Sequence, residues 1–223
     1  MKKKIIINLG RELGSGGRMI GEMIAKKMGV DFYDKALIRL ASEQSGISDE
    51  IFAKVDELNG RKRLSTLVSY LKSPFVGSEA SADNVLSAEA LFAIQSDVIR
   101  DIATKGSALF VGRCADYVLR DDPACVNVFI TADRATRIAR TAQLNSVSES
   151  EAERMIDSCD AARADYYNFY TTGRWGSASS YHLCVNSSEL GIEQTVDYIV
   201  DFIERRVAAT QSAKGDQLLK FRE

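Results

Sequence analysis

Lys4-Ile5-Ile6-Ile7-Asn8-Leu9-Gly10-Arg11-Glu12-Leu13-Gly14-Ser15-Gly16-Gly17-Arg18-Met19 is the stretch on which the fold turns. The β-branched run from Lys4 to Leu9 reads as a buried strand. A glycine-rich turn follows from Gly10 to Gly17. Met19, Ile20, Met23, Ile24 and Met28 then recur at helical spacing, and Gly29 stands where such a helix ends. Val30 to Tyr33 reads as a second short strand. Strand, glycine loop, helix, strand is the opening of an α/β fold with a parallel sheet.

Beyond that opening the chain reads as helical for some seventy residues. Leu37, Ile38 and Leu40 mark one helix, 48–58 a second and 65–71 a third, with a loop at 73–84. Leu86 to Ala103 is amphipathic, with Leu91, Ile94, Val98, Ile99 and Ile102 on one face. Sheet resumes at Ala108–Val111 and again at Cys125–Thr131. Helices are expected over Arg134–Gln143 and Ser148–Arg163, a last strand over Tyr181–Val185, and a closing helix over Ile192–Arg206. The polar tail beyond Ala208 is expected to fray.

Composition narrows the functional classes. The 223 residues carry 29 Lys and Arg against 31 Asp and Glu, a net charge of −2. That balance gives no general attraction to nucleic acid or to anionic membranes. With 45% hydrophobic and 27% charged residues the chain has the makeup of a folded globular protein. No run approaches the ~20 apolar residues of a membrane span. Met1-Lys2-Lys3-Lys4 has the charge of an export signal, but Asn8 interrupts the apolar part too early. Cys114, Cys125, Cys159 and Cys184 are scattered, and the one histidine is His182, so a Cys/His metal site is not expected and a reducing, cytoplasmic location is. A hydrolase triad would need His182, and no GxSxG elbow accompanies it.

The loop carries the sharpest chemistry. Gly14, Gly16 and Gly17 let the backbone turn tightly and present N–H groups to an anion, and the helix that follows adds its positive end. The loop departs from GxxxxGK[ST]. With Gly14 and Gly16 on the central and last glycines, Arg11 falls on the first glycine, Gly17 on the lysine, and Met19 where a Mg-binding hydroxyl usually sits. Arg11 and Arg18 flank the loop as the available replacement charges. A plain turn without a ligand is the bland alternative. Dinucleotide binding is a weaker one: Met19 breaks the third position of the fingerprint, although Asp31 or Asp34 lies near the expected ribose acid.

Arginine placement is the second feature. Arg113 directly follows a strand, at the end that faces the crevice in open parallel sheets. Arg134, Arg137 and Arg140 recur at i, i+3, i+6, and Asp157, Asp160 and Arg163 do so on the next helix. Phosphoryl transfer asks for positive groups around the moving phosphate and little covalent help. A solvated face of ion pairs is the alternative, and it suits Arg140 best. Third, Tyr166, Tyr167, Phe169, Tyr170 and Trp175 crowd into what reads as a Gly-flanked loop, either over a base or against the core. His182, at the start of the last strand, reads as structural.

The stretch GRELGSGGRMIGEMIAKKMGVDFYDKALI (residues 10–38) resembles the opening of the cytidylate kinase-like family. LFVGRCADYVLRDDP, VFITADRATRIAR, DAARADYYNFYTTGRWG and YHLCVNSSELGIEQTVDYI are similar to its later blocks, in order. The resemblance implies a three-layer α/β fold: a P-loop nucleoside monophosphate kinase core with a helical monophosphate-binding insert and a short lid. Core segments would be 1–34, 88–140 and 177–223, the acceptor-binding insert 35–87 and the lid 141–176.

The resemblance further implies phosphoryl transfer from ATP, with Mg²⁺, to a nucleoside monophosphate, CMP or dCMP first. Partners would be small nucleotides, with no nucleic acid or membrane. Arg11, Gly14, Ser15, Gly16, Gly17, Arg18 and Met19 would hold ATP phosphates. Asp34, Arg113, Asp160 and Arg163 would hold the acceptor, and Arg18, Arg113, Arg137 and Arg163 would neutralise the transferring group. The family's loop lysine and hydroxyl are replaced by Gly17 and Met19, and an arginine usual before the DxxD block by Ile156. A nucleotide-binding regulator without turnover, or a kinase for another small acceptor, are the other readings of this sequence.

Overall fold

The computed structural model describes residues 4–34, 39–40 and 88–220; apart from residues 39 and 40, the expected insert lies outside the described residues. Strand β1 (Ile6–Arg11) leads through the glycine loop into α1 (Gly17–Met28) and then β2 (Asp31–Tyr33). Gly29 ends α1 in the left-handed conformation at φ 66°, its N–H bonded to the Ala25 carbonyl, as its position predicts. The chain continues as α2 (Ala88–Lys105), β3 (Ala108–Val111), the short α3 (Ala115–Val118) and β4 (Cys125–Thr131). Next come α4 (Arg134–Asn145), α5 (Glu149–Tyr170), a 3-10 turn (Ala178–Ser180), β5 (Leu183–Asn186) and α6 (Ser187–Lys220).

The five strands are parallel in the order β2-β3-β1-β4-β5. Alternation along each strand feeds two cores. Ile6, Ala108 and Phe110 face α2 and α3, where Leu91, Val98, Ile99 and Val118 close one layer. Ile7, Leu9, Leu109 and Val111 face α1 and α6, where Ile20, Ile24, Val196, Ile199 and Ile203 close the other. Helices on both faces of a parallel sheet make the expected three layers. Phe110 is fully buried, and its truncation to alanine is the kind of core change that costs about 3–5 kcal/mol.

β1 has β3 on one side and β4 on the other. Strand order therefore reverses at β1, and the crevice beyond its carboxyl end is where such sheets bind ligands. β1 runs two residues further than its apolar pattern suggests, because Gly10 and Arg11 still pair with Phe129 and Ile130. α5 is corrected more strongly. It continues past Arg163 to Tyr170, so Tyr166, Tyr167, Phe169 and Tyr170 lie on its last turns and not in a loop. The Tyr166 and Tyr170 rings, one helical turn apart, meet at 4.9 Å between centroids, and Phe92 stacks on Tyr170 at 4.2 Å. α6 is interrupted at Gly191 (φ 71°, ψ 176°) and then runs to Lys220, past the point where fraying is expected.

Candidate active site

A cavity of about 1090 Å³ opens at the carboxyl ends of β1 and β3. The glycine loop forms one wall. Gly14 (φ 78°) and Gly16 (φ 77°) are left-handed. A Cβ on Gly14 would lie 2.6 Å from the Arg137 carbonyl, and one on Gly16 would lie 2.5 Å from the Ile192 side chain. Glycine is thus required twice, by conformation and by space. Ser15 is fully buried; its Oγ donates to the Glu12 carbonyl at 2.8 Å and accepts from the Gly17 N–H at 3.3 Å. Ser187 Oγ donates to the Ser15 carbonyl at 2.7 Å. α1 begins at Gly17 with no acid in its first turn to neutralise the positive helix end. A tight loop with its carbonyls held from outside and its helix start turned to a cavity suits phosphate oxygens.

Metal chemistry finds less support in these residues. Met19 offers no hydroxyl at the start of α1. Asp34 is already paired with two arginines, Arg18 at 3.0 Å and Arg11 at 3.6 Å. Among the described residues no cluster of three or more His, Cys, Asp or Glu suits an ion. The loop therefore suits phosphate oxygens, while a Mg²⁺ site built by the protein does not fit the described residues.

The arginines divide into two sets. Arg11, Arg18, Arg113 and Arg163 line the cavity. Arg18, on the first turn of α1, donates to Asp34 and pairs with Glu22 at 3.0 Å. Arg163 reaches the Arg11 carbonyl at 3.2 Å. Arg113 follows Gly112 in a turn where Gly112, Arg113 and Cys114 are all left-handed, at φ 75°, 62° and 54°. Two consecutive non-glycine residues in that region store strain at the strand end that faces the crevice.

Arg137 belongs to the other set and corrects the expectation that it meets a phosphate. Only 6% exposed, it lies beneath the loop. Its Nε donates to the Leu13 carbonyl at 2.8 Å, Nη1 pairs with Glu12 at 3.2 Å, and Nη2 pairs with Asp160. Asp160 is corrected with it. Its Oδ1 accepts from the Leu13 N–H at 2.8 Å, so this acid holds the loop and does not face an acceptor. Burial pushes the Asp160 carboxyl above its ordinary range, against the pull of the Leu13 N–H and of Arg137 and Arg163. Ile156, where the family's arginine is missing, is fully buried in the core.

Several lining residues escape the sequence reading. Arg140, the residue best suited to a solvated face, instead donates to the Gly14 carbonyl at 2.6 Å and lines the cavity. The solvated ion-pair face belongs to Arg134, with Asp157 at 2.6 Å and Glu153 at 3.1 Å. Glu12 anchors the loop from below through Arg137 and Thr131. Asp116, three residues past Arg113, lines the cavity with Tyr166, Tyr167, Trp175 and Tyr181. Spacing in the sequence points to the arginines and to the aromatic cluster, but not to Glu12 or Asp116. His182 stays outside the cavity: its Nδ1 accepts from the Asn127 N–H at 2.9 Å, and Arg206 lies 3.1 Å from Nε2. Burial and that cation lower its pKa.

Comparison with known proteins agrees with this architecture. Solved structures similar to the chain include that of an uncharacterized protein from Eubacterium ventriosum, at 26% identity and a TM-score of 0.66, covering 90% of this chain and 99% of that one. Another is a shikimate kinase from Bacteroides thetaiotaomicron, at 14% identity and a TM-score of 0.51, covering 91% and 99%. That second likeness is one of fold, a P-loop kinase fold. No curated protein matches the chain. Residues 6–189 match the cytidylate kinase-like family, and the chain belongs to that family.

Proposed function

We propose that the protein transfers the γ-phosphoryl group of ATP to a nucleoside monophosphate, with CMP or dCMP the first acceptors to test. Membership of a kinase-like family and a P-loop kinase fold support phosphoryl transfer to a small acceptor. The observation that carries the reading is one cavity shared by the glycine loop, arginines that include Arg18, Arg113, Arg140 and Arg163, and Asp34. Donor phosphates lie on Gly14 to Met19. Arg18 and Arg140 meet them from either side of the loop. Arg113, Arg163 and Asp34 face the acceptor. The segment 35–87 binds the acceptor, and 141–176 acts as a lid that excludes water. ATP arrives with Mg²⁺, as the family implies. No general base is needed, because the acceptor phosphate is already an anion. What the chain supplies is position and positive charge in a space shielded from water.

A nucleotide-binding regulator that transfers nothing is the second reading. It is favoured by Gly17 in the lysine position and by the commitment of both Arg11 and Arg18 to Asp34. Coupled ADP release from ATP and Mg²⁺ separates the two, run against CMP, dCMP, UMP, AMP and GMP with Arg18→Ala as control. Turnover with one monophosphate, lost in the variant, supports the kinase. Thermal stabilisation by nucleotide with no ADP released against any acceptor supports the regulator.

A further inference from the structure

A phosphate-binding loop that works with a divalent cation lends it a Ser or Thr hydroxyl at the helix start and an Asp beyond a neighbouring strand. Among the described residues this loop has neither. Met19 stands at the helix start, 47% exposed, with no oxygen on its side chain. β3 ends at Val111 and is followed by Gly112 and Arg113, a cation and not an acid. β4 is followed by Ala132 and Asp133. Asp133 accepts from the Asn186 side-chain amide at 2.8 Å and does not line the cavity. Two hydroxyls beside the loop are committed elsewhere, Ser15 to the Glu12 carbonyl at 2.8 Å and Thr131 to the Glu12 carboxylate. Thr141 is buried against Gly14 and does not line the cavity either.

The carboxylates that line the cavity are taken as well. Glu12 pairs with Arg137 at 3.2 Å, Glu22 with Arg18 at 3.0 Å, and Glu151 with Arg154 at 3.3 Å. Asp34 holds Arg18 and Arg11, and Asp116 accepts from the Tyr167 hydroxyl at 2.7 Å. A magnesium ion needs a near-octahedral set of oxygens, and here each carboxylate would have to leave a partner to join one. Positive charge, by contrast, is fixed at the loop itself. Arg140 reaches over from α4, and its Nη1 donates to the Gly14 carbonyl at 2.6 Å. The same atom would lie 3.2 Å from a Cβ on Gly16, so the guanidinium lies across the cavity side of the loop. Among the described residues its bond is to that carbonyl, with no carboxylate on it. A guanidinium has five N–H donors, so most of them remain to face phosphate oxygens.

We propose that the loop binds the polyphosphate of the metal-free nucleotide, with arginine N–H groups, those of Arg140 first, supplying the counter-charge that a protein-held divalent cation supplies elsewhere. The proposal rests on the nucleotide-binding reading above and deepens it. The chain's own groups touch phosphate oxygens only, and any magnesium carried in on ATP stays among phosphate and water. Free ATP is more negative than its magnesium complex by two charges. A cavity whose positive groups are fixed in place gains from that extra charge, so it binds the free nucleotide as well as the complex.

The experiment is calorimetric titration of ATP, and of inorganic tripolyphosphate, into the full chain, once in excess EDTA and once in excess magnesium. Wild type is expected to bind ATP in EDTA with a Kd no more than about threefold above that in magnesium, and tripolyphosphate likewise. Arg140→Gln, in a sample that melts with wild type, should weaken ATP at least tenfold in EDTA and less in magnesium, where the cation on the nucleotide makes up part of the lost charge. The wild-type comparison needs no variant, so it decides even where Arg140→Gln unfolds. If magnesium tightens ATP by more than about threefold in wild type, the proposal is overturned and the nucleotide-binding reading stands. If a folded Arg140→Gln binds ATP in EDTA as wild type does, the part given to Arg140 is overturned. If wild type binds ATP in neither buffer, the proposal and the reading it rests on both fall.

Discussion

Arg137 and Arg18 face the same glycine loop from opposite sides, and their surroundings give them different work. Arg137 is buried, with Glu12, Asp160 and the Leu13 carbonyl taking its donors. Arg18 has a side chain 63% exposed, paired with Asp34 and Glu22 at the rim of the cavity. A buried guanidinium saturated by carboxylates is fixed and positions what it touches. An exposed one gains little from its pairs and is free in energy to exchange them for a phosphate. The comparison teaches that an arginine's job in this site follows from burial and partners, not from its place in a repeating pattern.

Removing the buried member should have the largest effect on stability. Arg137→Ala leaves Glu12 without its cation and Asp160 with only the 3.5 Å pair to Arg163, and loss of one partner of a buried pair typically costs about 3–5 kcal/mol. Urea unfolding should show a clear fall in midpoint; a midpoint equal to wild type would break the contrast with Arg18. Gly14→Ala comes next. Its Cβ would meet the Arg137 carbonyl at 2.6 Å with φ at 78°, so a loss of roughly 1–2 kcal/mol is expected on the strain of a left-handed residue alone. Nucleotide binding should weaken with it, read by calorimetry.

Arg18→Ala sharpens the contrast from the other side. Its exposed pairs support a stability change of only about 0–1 kcal/mol, while ADP release should fall at least tenfold. A large drop in melting temperature with unchanged turnover would reverse the assignment. The smallest effect concerns His182, which lies outside both sets. Its folded pKa is lowered below 6.5, chiefly by burial and then by Arg206. As pH falls below 6.5 the unfolded chain takes up a proton that the folded chain refuses, so stability is lost over that window and is fully present above it. His182→Gln should flatten this part of the stability–pH profile, and an equal slope in both proteins would remove His182 as its source.

Much of the scaffold was legible in local pattern. Ala108–Val111 is a continuous apolar run and Cys125–Thr131 is one broken by Asn127, as befits strands covered on both faces, and both stand with the expected bounds. Gly29 marked the end of α1 because only its backbone turns left-handed there without cost. The last turns of α5 carry a turn-like composition of aromatics near Gly173, yet Tyr166 and Tyr170 keep helical spacing and their rings meet tilted at 4.9 Å. Placement at the cavity was legible where it depends on strand ends, as with Arg113 after β3 and Asp34 after β2. They were not legible where the partner is a distant backbone group. Asp160 is claimed by the N–H of Leu13, and Arg140 by the carbonyl of Gly14, and no spacing within one helix encodes either.

The most direct single test of phosphoryl transfer through this cavity is kcat for ADP release by Arg163→Ala, in a sample that melts with wild type. The side chain lines the cavity, and among the described residues its contacts are the Arg11 carbonyl and the edge of Asp160, so the fold should survive its loss. A kcat at least tenfold below wild type is the predicted result. An unchanged kcat would contradict the placement of the reacting phosphate between the glycine loop and the cavity-facing arginines.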